Sequence, residues 1–307
     1  MILLCGIPSE PPLALVRRRI EEADSECVVL NQRAVADIDL EMCVVAGRVT
    51  GQLTVRGQIY ALEHVDGVYL RLMDDSLLPE VRMAAPDSTV RTHSRRVHET
   101  LLAWTEIASA RVVNRPCAMG SNGSKPYQAQ LIRDSGFDVP ETLITNEPDL
   151  VAEFRERSGR LVYKSMSGVR SIIRVLDDVA AAGLDAIRWC PVQFQRYVEG
   201  TDVRVHTVGT EVFATSITSD APDYRYAERD IGRAAELAPV DLPDDVAARC
   251  TALAANLGLA VSGIDLRRTP SGEYVCFEVN PCPVFSYYEA ATGQEVSTAI
   301  AAFLAGV

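Results

Sequence analysis

The chain reads as a succession of short apolar and alternating runs punctuated by glycine and proline. MILLCGI is an unbroken apolar run, a buried first strand, and from about Leu13 to Ala23 the apolar residues recur at helical spacing. With ECVVLN behind it, this β-α-β start opens an α/β sheet. No G-x-G-x-x-G turn joins strand to helix, which argues against a dinucleotide site there. From Met42 to Leu62 the residues alternate, with glycines at turn-like places, and predict a small antiparallel meander; Gly67 to Met73 is another strand. A helix from about Ser94 to Ala110 leads to RVVNRP, and Pro116 with the polar run GSNGS sets the main boundary near Arg115. The expected division is 1–115 and 116–307, with a smaller lobe at about 139–195.

Beyond the boundary, KPYQAQLIRDSG reads as a helix that begins at Lys125 and Pro126 and stops at Gly136. VPETLIT is a strand, DLVAEFRERS a helix, and RLVYKS and SIIRVL two short strands joined by MSGVR. PVQFQRYV, TDVRVHTVG and TEVFATSIT are β-rich, and the acidic, tyrosine-bearing loop SDAPDYRYAERDIG follows them. A helix from about Pro243 to Leu257 ends at Gly258, VSGIDLRRT and EYVCFEVN form a hairpin about TPSG, and QEVSTAIAAFLA is the last helix.

The hairpin carries the sharpest chemical pattern. Alternation sets Val275, Phe277 and Val279 on one face and Glu278 and Asn280 on the other. A four-residue TPSG loop places Arg268 opposite Glu273 and Asp265 opposite Cys276, so Asp265 joins the polar face. A three-residue loop would instead bury its charge among the apolar residues. Two carboxylates and an amide oxygen suit magnesium, which completes its shell with phosphate oxygens and water. The same residues also read as the polar outer face of a half-exposed strand. Lys164, beside SMSGVRS, is placed to neutralise phosphate or simply to end a strand in solvent. Lys125 opposes the dipole of its own helix start, which favours an anion contact.

Composition narrows the partners. At 307 residues and 48% hydrophobic, the chain can bury a substantial core. Its formal charge of −12 repels nucleic acid and anionic membranes, so neither is expected, and an anionic ligand needs a local basic cluster. Pro8, Glu10, Pro11 and Pro12 interrupt the first apolar run and its basic residues follow it, the reverse of a signal peptide. STAIAAFLAGV falls far short of the roughly 20 residues of a membrane span, and a cytoplasmic protein is expected. Eight cysteines without a C-x-x-C pair read mostly as buried free thiols, Cys276 among them, and the four histidines have no ligand-like grouping.

The order Lys125, LVYK ending in Lys164, PVQFQRYVEGTDVRV, GIDL and FEVNP resembles ATP-grasp ligases over roughly Ser124 to the C-terminus. The resemblance is closest to the RimK-like branch and its graspetide (microviridin-type) macrocyclising relatives. It implies an α/β and α+β chain: two α+β lobes gripping ATP, preceded by an N-terminal α/β pre-ATP-grasp domain. Carried over by position, it implies Lys125 and Lys164 on the phosphates, Gln195, Arg196, Tyr197 and Val198 as the adenine hinge, and Glu199 or Asp202 on the ribose. Asp265, Glu278 and Asn280 would bind Mg2+, two ions being expected and Mn2+ able to substitute. The hinge reads Gln195-Arg196-Tyr197 where relatives often have Gln-Glu-Tyr, so adenine contacts are expected from the backbone. PCPVF follows the Asn where the macrocyclising relatives tend to carry a glycine and an acid.

The activity implied is ATP-dependent carboxylate–amine or carboxylate–hydroxyl ligation through an acyl-phosphate, releasing ADP and phosphate, on an amino acid or peptide. A peptide-macrocyclising ligase and a non-catalytic nucleotide-binding regulator are the alternatives, and homo-oligomerisation is left open. Phosphoryl transfer rests on positioning and charge stabilisation, so the lack of an evident nucleophile is no obstacle. Arg204 in DVRV and Arg225 in DYRY are candidates to hold the acyl-phosphate or an acceptor carboxylate, a solvated loop residue being the other reading of Arg225. Phe285, Tyr287 and Tyr288 either line the acceptor pocket or pack the end of a core strand.

Overall fold

The computed structural model describes residues 1–166, 172–220 and 224–307, and at 225 and 230 the backbone alone. The apolar first run is strand β1 (Ile2–Gly6), joined through the helix Pro11–Glu22 to β2 (Cys27–Asn31). The meander follows as β3 (Ile38–Val45), β4 (Arg48–Val55) and β5 (Gln58–Ala61), starting earlier than the alternation suggested. With β6 (Gly67–Arg71) and β7 (Arg111–Val113) the chain completes a parallel sheet of order β2-β1-β6-β7. Leu3, Val68, Leu101 and Trp104 bury one face of it; Leu4, Val16, Ile300 and Leu304 bury the other. Burial on both faces is why MILLCGI carries no alternation. The helix expected from Ser94 begins at Thr89, capped by Ser88, because its first turn is polar and shows no apolar periodicity.

A four-stranded antiparallel sheet comes next, of order β10-β9-β11-β8: β8 (Thr142–Thr145), β9 (Leu161–Ser165), β10 (Arg174–Val175) and β11 (Val192–Arg196). The helix Pro148–Ser158 covers one face, with Val151 and Phe154 against Leu161 and Phe194. VPETLIT and SIIRVL thus yield shorter strands than their composition suggested, and most of the MSGVR connection, from Ser167 on, lies outside the described residues.

The last sheet is antiparallel throughout, in the order β14-β13-β12-β15-β16. Its strands are β12 (Thr201–Val208), β13 (Glu211–Thr218), β14 (Glu236–Pro239), β15 (Val261–Arg268) and β16 (Tyr274–Asn280). The helix Asp244–Asn256 packs Val246, Cys250 and Leu253 on Val203, Val205, Ile264, Leu266, Cys276 and Val279. Part of SDAPDYRYAERDIG is helical rather than loop, at Tyr224–Tyr226 and Ala227–Ile231.

Two side chains join the parallel sheet to this one. Asn114, buried just past β7, donates to the carbonyls of Val261 and Pro281 at 2.6 Å each and accepts from the N–H groups of Ala260 and Val261. It thereby fills all four of its hydrogen-bonding positions. Arg71, at the end of β6, pairs with Glu10 and donates to Pro283 O at 3.1 Å. Both hold the segment that follows Asn280. Among the described residues no helix is long and apolar enough to cross a membrane.

Candidate active site

The hairpin does not take the register that a four-residue loop gives. Arg268 lies opposite Tyr274, and Leu266 opposite Cys276. Continued unbroken, that pairing would set Asp265 against Phe277 and turn Glu278 into the core beside Ile264. A β-bulge between Asp265 and Leu266 corrects it: Phe277 is the extra residue, and Asp265 lies directly opposite Glu278. The apolar side of β16 is therefore Tyr274, Cys276 and Val279, not Val275, Phe277 and Val279. Val275 is instead paired with Arg267, whose guanidinium lies 5.2 Å from the Phe277 ring centroid.

Three strands then present one row of charges. Arg204 of β12, Asp265 of β15 and Glu278 of β16 are consecutive cross-strand partners, and Lys125 Nζ, at the start of the helix Lys125–Asp134, lies 3.1 Å from Glu278 Oε2. Arg204 Nη1 donates to Asp265 Oδ1 at 2.6 Å. Arg204 is 6% exposed; burial works against its charge, but Asp265 with Tyr288 and Tyr224 together outweigh this and raise its pKa. Burial likewise would raise the Glu278 pKa, yet Lys125, then Lys164 and Arg204, hold it below the usual carboxylate value. The neighbouring row holds His206, Gly263 and Asn280. A Cβ at Gly263 would meet the Arg204 guanidinium and lie 2.8 Å from Pro283 Cβ, so the glycine of GIDL leaves that guanidinium its room.

The donor set fits magnesium. Glu278 is held ionised, Asp265 keeps one oxygen beyond its bond to Arg204, and Asn280 Oδ1 accepts one hydrogen bond, from the Cys282 N–H at 2.9 Å, with a second lone pair remaining. No group of three His, Cys, Asp or Glu among the described residues could hold a metal, so an ion here would take the rest of its shell from ligand oxygens and water.

The other expected residues fall around this row. Lys164 lies on β9 opposite Gln193, close enough to lower the Glu278 pKa. Gln195 is buried and donates to Thr142 Oγ1, while Arg196 is exposed. The Tyr197 N–H donates to Arg160 O, which takes it out of any adenine contact, while the Val198 carbonyl accepts from Arg267 with a second lone pair remaining. Asp202 is held by Arg267 at 2.7 Å, and Glu199 is exposed beside it. The Arg225 side chain lies outside the described residues. Phe285 is fully buried as packing, and Tyr287 is exposed. Cys276 is buried, and burial pushes its thiol pKa far up; Cys43, Cys117 and Cys190 are exposed rather than buried.

Two polar residues, His206 and Tyr224, were not foreseen. His206 shares the face of Asp202 and Arg204, which the alternation in TDVRVH makes legible; its Nε2 accepts from Arg204 Nε at 3.4 Å. Tyr288 stacks edge-on to that ring at 4.9 Å and shares a 2.6 Å hydroxyl bond with Tyr224. No local pattern joins residues 64 positions apart.

Comparisons with known proteins agree with this fold. Residues 124–304 match the RimK-like ATP-grasp domain. A probable alpha-L-glutamate ligase 1 of Shewanella amazonensis is 29% identical over 214 residues, covering 66% of this chain and 70% of that protein. Among solved structures, a Chryseobacterium gregarium RiPP-associated ATP-grasp ligase in complex with ADP and a leader and core peptide superposes with a TM-score of 0.83 at 22% identity. That match covers 99% of this chain and 96% of the other. The ATP-grasp ligase PsnB complexed with minimal precursor, Mg and ADP gives 0.78 at 25% identity, over 99% and 96%. Since the family domain spans more than half of its residues and carries the whole charged row, the chain belongs to the RimK-like ATP-grasp family of ligases.

Proposed function

We propose that this chain is an ADP-forming ligase that phosphorylates a carboxylate with ATP and lets an amine or hydroxyl displace the phosphate. The observation that carries the reading is the row Arg204, Asp265, Glu278 and Lys125, with Asn280 in the next row. Asp265, Glu278 and Asn280 would hold magnesium, two ions being the proposal, and the metal would neutralise charge as the phosphoryl group moves. Lys125 and Lys164 would hold the phosphates from two sides, the first from the helix start and the second from the four-stranded sheet at about 139–195, which would act as the lid. The hinge 195–198 would hold adenine. Of the two ribose candidates, Glu199 is favoured, because Asp202 is engaged by Arg267. Arg204 and Arg225 would orient the acyl-phosphate, their guanidinium forks suiting its oxygens.

A peptide substrate is favoured over a free amino acid by the extent of the likeness. The ligases complexed with a leader and core peptide and with a minimal precursor superpose with TM-scores of 0.83 and 0.78, whereas a D-Ala:D-Ser ligase that matches the same 99% of the chain reaches 0.57. Intramolecular ester or amide formation within a peptide is the corresponding reaction. An ADP-release screen with amino acids and short peptides, coupled to hydroxylamine trapping, tests both points. A hydroxamate of the true carboxylate is the expected product, with loss of one water per bond in a cyclised peptide. AMP and pyrophosphate would replace the mechanism by adenylation, and ATP binding without turnover on any carboxylate would favour a regulator.

A further inference from the structure

Strand β16 carries two of the three proposed metal ligands and is the last strand of its sheet. Its outward backbone groups must find partners elsewhere. The Cys276 N–H donates to Asp138 O at 2.8 Å. At Val279, one side chain serves both groups: Gln128 Oε1 accepts from the Val279 N–H at 3.0 Å, and Gln128 Nε2 donates to the Val279 carbonyl at 2.8 Å. A primary amide offers the same donor and acceptor as a peptide group, so Gln128 adds one rung to the ladder. That rung falls between Glu278 and Asn280.

Gln128 is 1% exposed and follows Lys125 by three residues on the same helix. Residues three apart share a helix face, so a single helix presents an amide to the strand backbone and an ammonium to the adjoining carboxylate. The strand in turn fixes how far the helix can slide or roll. Being buried, Gln128 is not itself placed to touch a nucleotide.

We propose that Gln128 is a positioning residue of the nucleotide and metal site: its paired bonds to Val279 set the distance of Lys125 from Glu278 and the orientation of Glu278 and Asn280. The inference rests on reading Asp265, Glu278 and Asn280 as the metal ligands. A purely structural Gln128 would lower the melting temperature and leave ligand constants alone.

The test is calorimetric titration of the full chain with ADP, with and without Mg2+, alongside thermal melts. The variants are Gln128→Met, Glu278→Gln and Val246→Ala, the last a core truncation behind the same sheet. In Gln128→Met, the gain in ADP affinity on adding Mg2+ should shrink by about tenfold, the effect of one or two lost hydrogen bonds. The KM for MgATP should rise more than kcat falls. Val246→Ala should lower the melting temperature with the Mg2+ gain intact. If Gln128→Met keeps the gain while Glu278→Gln loses it, the positioning role is wrong and the metal reading stands. If Glu278→Gln also keeps it, the metal reading itself fails. Should Gln128→Met not fold, Gln128→Glu, of equal length and still an acceptor for the Val279 N–H, is judged by the same criteria.

Discussion

At the scale of single residues, the site separates side chains that hold charge from side chains that hold the fold. Glu278 points away from the core cluster, so Glu278→Ala should melt close to the parent and yet lose Mg2+-dependent ADP release; full release by the folded variant would remove Glu278 from the metal site. His206 is the opposite case. Burial, then the Arg204 charge, push its pKa well below the ordinary value, so the folded chain keeps the ring neutral while the unfolded chain gains a proton below about pH 6.5. Its contribution is complete above that pH and is lost as the pH falls towards the folded pKa, by up to about 1.4 kcal/mol per unit. Melting curves from pH 7 to 5 should show a steeper loss for the parent than for His206→Gln; equal slopes would contradict the assignment. Lysines and carboxylates could be picked from the sequence by type and spacing. Gln128 and the Tyr224–Tyr288 pair could not, since their meaning lies in partners 151 and 64 positions away.

Among the elements, the bulge decides whether the site exists. Loop length alone put Asp265 and Glu278 on one face through a register that the chain does not use; the true loop gives the opposite parity, and Phe277 restores it. A bulge leaves little local signal, so the faces of β16 were misassigned although the placing of Asp265 on the face of Glu278 and Asn280 was foreseen. Helices were legible where the apolar stripe was continuous, and missed by several residues where the first turn was polar, as at Thr89. The same sheet gives a sharp prediction at Gly263. A methyl there collides with the Arg204 guanidinium, which is buried and cannot swing into solvent. Gly263→Ala should therefore break the Arg204–Asp265 bond and lower turnover by about 100-fold, the order expected when a catalytic group is displaced by an ångström. Unchanged turnover would mean that Arg204 does not act where it is drawn.

For the whole molecule, the proposed reaction poses a problem: a chain of charge −12 would have to attract a carboxylate and a nucleotide. Composition made the conflict plain, and the fold meets it by gathering Lys125, Lys164 and Arg204 about Glu278. What composition could not give was the coupling of the parallel sheet to this centre through Asn114 and Arg71, because it depends on which loop ends meet. With those cations engaged, recognition of the substrate carboxylate should fall to a further arginine. The hydroxyl of Tyr224, the residue before Arg225, is bonded to Tyr288, whose ring lies 5.8 Å from the Arg204 guanidinium. That bond ties the backbone beside residue 225 to Tyr288. Losing one charge-assisted hydrogen bond of about 1.5–3 kcal/mol would cost about 10- to 150-fold. Arg225→Ala should weaken KM or kcat for the carboxylate or acceptor by that order, while calorimetric affinity for an ATP analogue barely changes. A matching loss of nucleotide affinity would make Arg225 a nucleotide ligand, and no change in either constant would leave it a solvated loop residue.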